Sequence, residues 1–370
     1  MQTIIFGGAF DPPHSEHVNM VREAVRETGA ERVVILPTFV PPHKSAGFLS
    51  FEERVKLAKA AFCDVADNVI VDEEEKTRGK DNYASFLLPL MKKKYGDIAY
   101  LIGGDSLQYF DTWRNPSDIL AVCPVLVCER EGFAGAEPLA RETERRFGGE
   151  IRVLRYVGKE VSSGRIKATL LLGESSDDIP AAVADIIRQD GLFAEYLETV
   201  EKVKRFESSE LYEHSKAALF RAVDLNSAHN LKQNFEKVFL AALLHDNAKE
   251  RPSVDGLDVP SDSIGTPVLH QFLGAEKARR DFGVTDSEIL DAIRYHTTAK
   301  PGMTLLEKLI YTADSTSYDR EYAPMPYYRA LVDADFENGF CALLRYTFEK
   351  VKAKGRGVYP LTEEAAKYYL

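Results

Sequence analysis

GGAFDPPHSEHV, residues 7–18, follows directly on the apolar run TIIF at residues 3–6. Two glycines, an Asp, two prolines and two histidines three residues apart make a loop whose composition serves backbone shape. It stands between a strand pattern and a helix pattern, because Val18, Val21 and Val25 carry a helical period on to the stop signal Gly29. Strand, glycine loop and helix in that order place the free N–H groups of a helix start beside flexible backbone, which attracts phosphate. His14 and His17, at i and i+3, share one face of the first turn. Taken alone, the loop also fits a tight strand-to-helix turn whose two histidines are exposed.

The same alternation continues outward. ERVVILP (31–37), NVIV (68–71), IAYLI (98–102), PVLVC (124–128) and IRVLRYV (151–157) read as buried strands separated by helical patterns. One of these helices opens on Ser50 and Glu53 at capping-box spacing, in SFEERVKLAKAAF. This predicts an α/β domain with a Rossmann-like, mainly parallel sheet, right-handed crossovers and helices on both faces. Its ligands should sit at the carboxyl ends of the strands. From about Gly191 the pattern changes to long helical periods: AEYLETVEKVKRF, SELYEHSKAALFRAV, NFEKVFLAALLHDNAK, SEILDAIRYH and LLEKLIYTAD. An all-α domain is expected there, so the chain divides into 1–195 and 196–370. RPSVDGLDVPSDSIGTP (251–267) reads as a loop joining two helices.

Composition agrees with two domains, since 370 residues exceed what one core usually serves. A formal charge of −11 argues against a nonspecific grip on nucleic acid, which needs a basic surface. Cys63, Cys123, Cys128 and Cys341 are scattered without a CxxC, which suggests neither a disulfide framework nor a thiolate zinc site and fits a reducing cytoplasm. No basic leader with an apolar stretch opens the sequence and no apolar run approaches membrane length, so export and membrane insertion are not expected.

PTFVPPHK ends the second strand with His43 and Lys44 at the same predicted sheet edge, IGGDSLQYFDTW follows another strand with Asp105 and Trp113, and VSSGRIKATL offers Ser162, Ser163, Arg165 and Lys167 near a later helix start. With these motifs in order, residues 1–195 resemble the bacterial nicotinate-mononucleotide adenylyltransferases of the nucleotidyltransferase superfamily. The resemblance implies Mg²⁺-assisted transfer of AMP from ATP to nicotinate mononucleotide, in line and without a covalent intermediate, giving nicotinate adenine dinucleotide and pyrophosphate. It implies a nucleotide-binding loop at Gly7, Gly8, Phe10 and Asp11, with His14 and His17 on the phosphates. Lys44 and Lys167 supply positive charge, Ser162 and Ser163 donate hydrogen bonds, Asp105 lies near the adenosine and Trp113 stacks on the pyridine ring. Three departures stand against it. Glu16 replaces the Gly of HxGH and brings negative charge where phosphate approaches. Gly164 and Lys167 replace the Thr and Arg of ISSTxIR, and Lys cannot grip phosphate bidentately. Ala84 replaces the first Thr of YTxxT.

The helical half holds a second constellation: His214 in YEHS, His245, Asp246 and Lys249 in LLHDNAK, His270 in VLHQ, His296 in IRYHTT and Asp314 in YTAD. Imidazole and carboxylate without thiolate suit iron or manganese. The four histidines lie beside apolar helical stripes, where burial without a metal would leave polar groups needing partners. His229, in NSAHNL, reads as an ordinary surface or core residue. Over about 205–325 the sequence resembles the HD superfamily, and within it the bacterial symmetrical diadenosine-tetraphosphate hydrolases. That implies a di-metal site, iron the expected pair, with His214, His245, Asp246, His270, His296 and Asp314 as ligands, Lys249 offsetting phosphate charge, and two ADP as products. Gln271 stands where these enzymes often carry Gly. The reading is a bifunctional cytoplasmic enzyme whose partners are ATP, nicotinate mononucleotide and diadenosine tetraphosphate, with no nucleic acid and no membrane. Its rivals are a hydrolase with a regulatory nucleotide-binding front domain, and a scaffold or sensor with both sites inactive.

Overall fold

The computed structural model describes residues 2–39, 48–79, 82–132, 135–254, 256–355 and 357–370. His43 and Lys44 lie outside the described residues. Two compact units divide the chain: Met1–Lys167 with Ser175–Phe193, and Ala168–Glu174 with Ala194–Leu370.

The first unit is built on six strands, β1 (Thr3–Gly8), β2 (Arg32–Pro37), β3 (Val69–Val71), β4 (Ile98–Gly103), β5 (Val125–Arg130) and β6 (Ile151–Gly158). Every neighbouring pair is parallel, and the order is β3-β2-β1-β4-β5-β6. The β-branched runs make the centre, since Ile4, Ile5, Val33, Val34, Ile35, Val125 and Val127 are wholly buried. NVIV and IRVLRYV, expected to be buried strands, form the two edges instead. β3 is three half-buried residues, and β6 carries exposed Arg152, Arg155 and Val157 among buried Ile151, Leu154 and Gly158. The chain leaves β1 toward β2 and later returns to its other side as β4, so a switch point opens between the carboxyl ends of β1 and β4. Right-handed crossovers to either side of β1 place helices on both faces.

Three helices serve the site at this sheet. Helix α1 (Ser15–Thr28) follows the glycine loop and ends at Gly29, whose φ of 68° is the left-handed stop expected of glycine. Helix α2 (Phe51–Phe62) has the reciprocal Ser50–Glu53 capping box anticipated from its spacing. Helix α3 (Ser163–Leu171) starts behind β6.

The second unit is helical. The helices that matter below are α4 (Ser209–Ala228), α5 (Phe235–Leu244), α6 (Leu269–Phe282), α7 (Ser287–Tyr295) and α8 (Leu305–Ser315). Ser208, Asn234, Asp286 and Thr304 cap α4, α5, α7 and α8 with side-chain oxygens. The α5 pattern, read as helical through Lys249, stops at Leu244. Asn247 draws its amide onto the Leu244 carbonyl at 2.6 Å and onto Gly274 O at 3.0 Å, ending the backbone ladder and turning the chain at His245 and Asp246. Among the described residues no helix is long and apolar enough to cross a membrane.

Candidate functional sites

The glycine loop has a fixed shape. A Cβ at Gly8 would stand 2.9 Å from the Phe10 ring, so glycine leaves the space into which that ring folds back. Phe10 adopts φ of 50°, a strained value for a bulky side chain. Its ring is only 1% exposed and packs edge-on against His17 and Phe62, and that burial offsets the strain. Asp11 is also buried; it accepts hydrogen bonds from Phe48 N at 2.9 Å and Leu49 N at 3.1 Å, and pairs with Lys167 Nζ at 2.6 Å. The charge of Lys167, expected on phosphate, therefore faces a carboxylate in this structure.

His14 and His17 interlock. His14 Nδ1 accepts the backbone N–H of His17 at 3.4 Å, and His17 Nδ1 accepts that of His14 at 3.2 Å. Their rings stack at 3.6 Å. Because each Nδ1 accepts, each neutral ring carries its proton on Nε2. His14 is buried and His17 half-buried, so the turn with two exposed histidines is excluded. Burial pushes His14 down to about 4 against the pull of Glu16, and the ring is neutral near pH 7.

Glu16 points to three donors: Tyr156 Oη at 2.8 Å, Lys159 N at 2.9 Å and Asn19 Nδ2 at 2.9 Å. The end of β6 is shaped for it, since a Cβ on Gly158 would lie 2.7 Å from Glu16 Oε2. The carboxylate is thus held against β6 by its own set of partners. Gly158→Ala is expected to destabilise the protein by about 1–3 kcal/mol, through overpacking against a pinned carboxylate. Glu16→Gly in the same chain should restore most of that loss. Additive losses in denaturant unfolding of the double variant would refute the pairing.

The remaining residues of this set lie on the strand ends and the helix behind them. Asp105 is the second residue of a short helix, Gly104–Gln108, directly after β4 and faces Arg130 at 3.8 Å. Trp113 is half-buried and packs on Phe110 at 5.1 Å and Tyr100 at 6.4 Å. Ser162 Oγ accepts Arg165 N at 3.3 Å at the start of α3, and Ser163 is the first residue of that helix.

Two residues here were not singled out from the sequence. Arg54, 2% exposed, donates to Ala9 O and Thr38 O at 2.8 Å, and to Leu49 O and Phe39 O at 3.3 Å. One guanidinium thereby ties the β1 loop to the backbone on either side of residues 40–47. The signal was present, because Arg54 falls on the buried face of α2 with Phe51, Val55 and Ala58. Glu75 is buried and accepts Phe39 N at 2.9 Å; burial pushes it up to about 7 although Arg54 pulls the other way.

His14 and Glu75 give stability opposite dependences on pH. Between about 4 and 6.5 an unfolded His binds a proton that folded His14 does not, so stability falls as pH falls through that window. Between 4.5 and about 7 folded Glu75 holds a proton that the unfolded chain has released, so stability falls as pH rises. Each effect is on the order of 3 kcal/mol at full extent, and they oppose over the shared range. Glu75→Gln is expected to uncover the His14 slope, with stability rising between pH 4.5 and 6.5. Trp113, the single Trp of the chain, reports unfolding of this unit. An unchanged profile in the variant would dismiss the compensation.

The second unit brings all six predicted ligands together. His245, as the C-cap of α5, and the adjacent Asp246 lie at the centre. Asp246 Oδ2 is 3.3 Å from His245 Nε2, and its Oδ1 is 3.4 Å from His270 Nε2 and 3.5 Å from His296 Nε2. Asp314 Oδ1, from α8, is 3.0 Å from His214 Nε2 and 3.7 Å from His245 Nε2. Donor atoms of His214, His245 and Asp314, and likewise of His245, Asp246 and His296, lie within 4.8 Å of one another, close enough to hold a metal ion. Lys249 Nζ rests on Asp246 Oδ2 at 2.6 Å.

The tautomers test whether a metal fits. His245, His270 and His296 each engage a backbone carbonyl through Nδ1, those of Ala242, Pro267 and Ile293, at 2.7–2.8 Å. In the neutral rings that leaves three Nε2 lone pairs turned toward one carboxylate. His270 Nε2 and His296 Nε2 are 3.2 Å apart, and buried His245 Nε2 and Asp246 Oδ1 have no hydrogen-bond partner. Acceptors converging on acceptors require a cation between them, and carbonyl-anchored imidazoles are the usual support of metal ligands. Burial disfavours the charged form of His245, yet Asp246 and Asp314 outweigh it and raise its pKa, a proton serving where a cation belongs. The donor set fits divalent metal.

Arg320 and Asp319, to which the sequence analysis gives no role, belong to this cluster. Arg320 Nη2 is 2.6 Å from Asp314 Oδ1 and 3.5 Å from His214 Nε2, and His214 Nδ1 bonds Asp319 Oδ2 at 2.8 Å.

Comparison with known proteins places each site within a family. Residues 5–169 match the cytidylyltransferase-like family and residues 211–319 the HD domain. The chain is 31% identical over 209 residues to a "Probable nicotinate-nucleotide adenylyltransferase" of Klebsiella pneumoniae subsp. pneumoniae, spanning 51% of this chain and 95% of that protein. It is 24% identical over 326 residues to a "Probable nicotinate-nucleotide adenylyltransferase/Ap4A hydrolase" of Mycoplasma genitalium, spanning 86% of this chain and 88% of that one. A solved HD superfamily hydrolase of Clostridium acetobutylicum, described as involved in NAD metabolism, matches with a TM-score of 0.44 and 29% identity, over 47% of this chain and 96% of its own. The chain belongs to the nicotinate-nucleotide adenylyltransferase family and carries an HD domain behind that family's region.

Proposed function

We propose that this protein is a bifunctional enzyme of the cytoplasm. Its first unit transfers AMP from ATP to nicotinate mononucleotide, and its HD unit hydrolyses diadenosine tetraphosphate symmetrically to two ADP. The functional boundary follows the change of pattern near residue 195, with 1–195 and 196–370 as the two domains.

For the transferase, the observation that carries the reading is the interlocked His14–His17 pair capping a helix at the sheet's switch point. An oxygen of the acceptor phosphate bonds to the α-phosphorus of ATP while the bond from that phosphorus to the bridging oxygen breaks, releasing pyrophosphate. Two neutral imidazoles with protons on Nε2 donate hydrogen bonds as charge develops, at the positive end of the α1 dipole. Ser162 and Ser163 add donors, and Lys44 and Lys167 add positive charge, Lys167 by exchanging Asp11 for phosphate. Asp105 and Trp113 hold adenosine and pyridine ring, and Mg²⁺ accompanies the triphosphate.

For the hydrolase, the carrying observation is the convergence of three imidazole Nε2 atoms on Asp246. His214, His245, Asp246, His270, His296 and Asp314 would hold two divalent metals, iron by preference. Bound there, such ions activate water and withdraw charge from phosphoryl oxygens. Around them Lys249 and Arg320 counter the charge of the phosphate chain, while the backbone carbonyls fix the rings of His245, His270 and His296.

A paired assay on one preparation tests both halves. Nicotinate mononucleotide with Mg-ATP should yield dinucleotide and pyrophosphate, and diadenosine tetraphosphate should yield only ADP. ADP without dinucleotide would leave the front unit as a nucleotide-binding or regulatory module, and neither product would leave a scaffold.

A further inference from the structure

We infer that Gln271 is a positioning residue that sets His270 and His296 as one metal-binding pair, which rests on the reading of this cluster as a metal centre. The two histidines come from separate elements, His270 from the first turn of α6 and His296 from the C-cap of α7. Gln271, next after His270, is 0% exposed and reaches across to the two residues that follow His296. Its Oε1 accepts Thr297 N and Thr298 N, both at 3.1 Å. Its Nε2 donates to Thr298 Oγ1 at 2.9 Å, while the Thr298 hydroxyl donates to Ala299 O at 2.9 Å. Two backbone donors on one oxygen fix the orientation of the amide, so each of its ends has a defined partner.

The consequence falls on the ligands. His270 and His296 are one residue from either end of this clamp, and their Nε2 atoms lie 3.2 Å apart. Thr297 Oγ1 also lies 3.1 Å from His270 Nε2, so the same turn touches the partner ring directly. Two lone pairs that close repel unless a cation or proton lies between them, so the pair must be held by something other than its own attraction. A glycine at 271 would supply none of these bonds and would leave two N–H groups of the His296 turn without an acceptor.

The test uses the full chain loaded with Co²⁺ and challenged with a chelator, followed by the visible absorption of bound Co²⁺, with thermal unfolding measured in parallel. Gln271→Met keeps the side-chain length and removes the amide; Gln271→Glu keeps an acceptor for both N–H groups. Gln271→Met is expected to weaken by about 10–100-fold the Co²⁺ that His270→Ala also releases, as loss of an outer support does. Gln271→Glu should recover most of it, at a melting temperature close to that of Gln271→Met. Co²⁺ retention by Gln271→Met equal to the parent, or equal losses in both variants that follow their melting temperatures, would overturn the clamp. Failure of the parent chain to take up Co²⁺ would instead bring down the metal-centre reading, and the clamp with it.

Discussion

Asp246→Ala is expected to leave the HD unit with less than about one-tenth of its metal and to lower diadenosine-tetraphosphate hydrolysis at least a thousandfold, roughly 4 kcal/mol of barrier. The two oxygens of Asp246 between them lie within 3.5 Å of three imidazole nitrogens, so its removal takes a contact from three ligands at once. Asp246→Asn should fail almost as completely. It keeps the volume, but it presents one oxygen and no charge to a cation. Dinucleotide formation in the same preparation should stay within about twofold of the parent, because the substitution lies in the other unit. Metal analysis beside the paired assay decides the matter; full metal content in Asp246→Ala would remove Asp246 from the ligand set.

His14→Asn should divide stability from catalysis in the front unit. Asn caps a helix about as well as any residue, so the start of α1 should survive with a change of about 1 kcal/mol or less. The interlock would not survive, because His17 Nδ1 and His14 Nδ1 each accept the other's N–H and stack ring on ring. Adenylyl transfer is expected to fall by about 10²–10³, the usual effect of losing a preorganised donor to developing charge. His17→Ala should cost a similar factor, and the double variant little more than either, since the pair acts as a unit. Independent, multiplying losses would show that the rings work separately and that the stack is only packing.

Much of this architecture was legible beforehand, and the part that was not has a common cause. All six strands, the Gly29 stop and the Ser50–Glu53 box follow from local pattern, whereas the grouping of His214, His245, Asp246, His270, His296 and Asp314 comes from the resemblance to the HD superfamily. What local pattern cannot supply is the partner of a buried charge. Arg54 looks like any helical arginine until Ala9, Thr38, Phe39 and Leu49 present their carbonyls to it. Gln271 looks like a flaw in a motif until Thr297 and Thr298 turn toward it. The edge positions of β3 and β6 escaped for the same reason, since strand order is a property of the assembled sheet.

The Glu16 pocket changes what a broken motif means. Position 16, judged alone, counts against the chain; yet Glu16 is bonded to Tyr156, which lies 140 residues along the sequence, and its space is left open by Gly158. The deviation and its accommodation form a pair, in which Glu16 is tolerated because position 158 has no side chain. Relatives carrying an acidic residue at the position of Glu16 should therefore carry glycine at the position of Gly158, and those with the usual glycine should be free to place any small side chain there. A profile that scores columns one at a time will rank such chains as decayed when they have only moved a constraint from one end of the domain to the other.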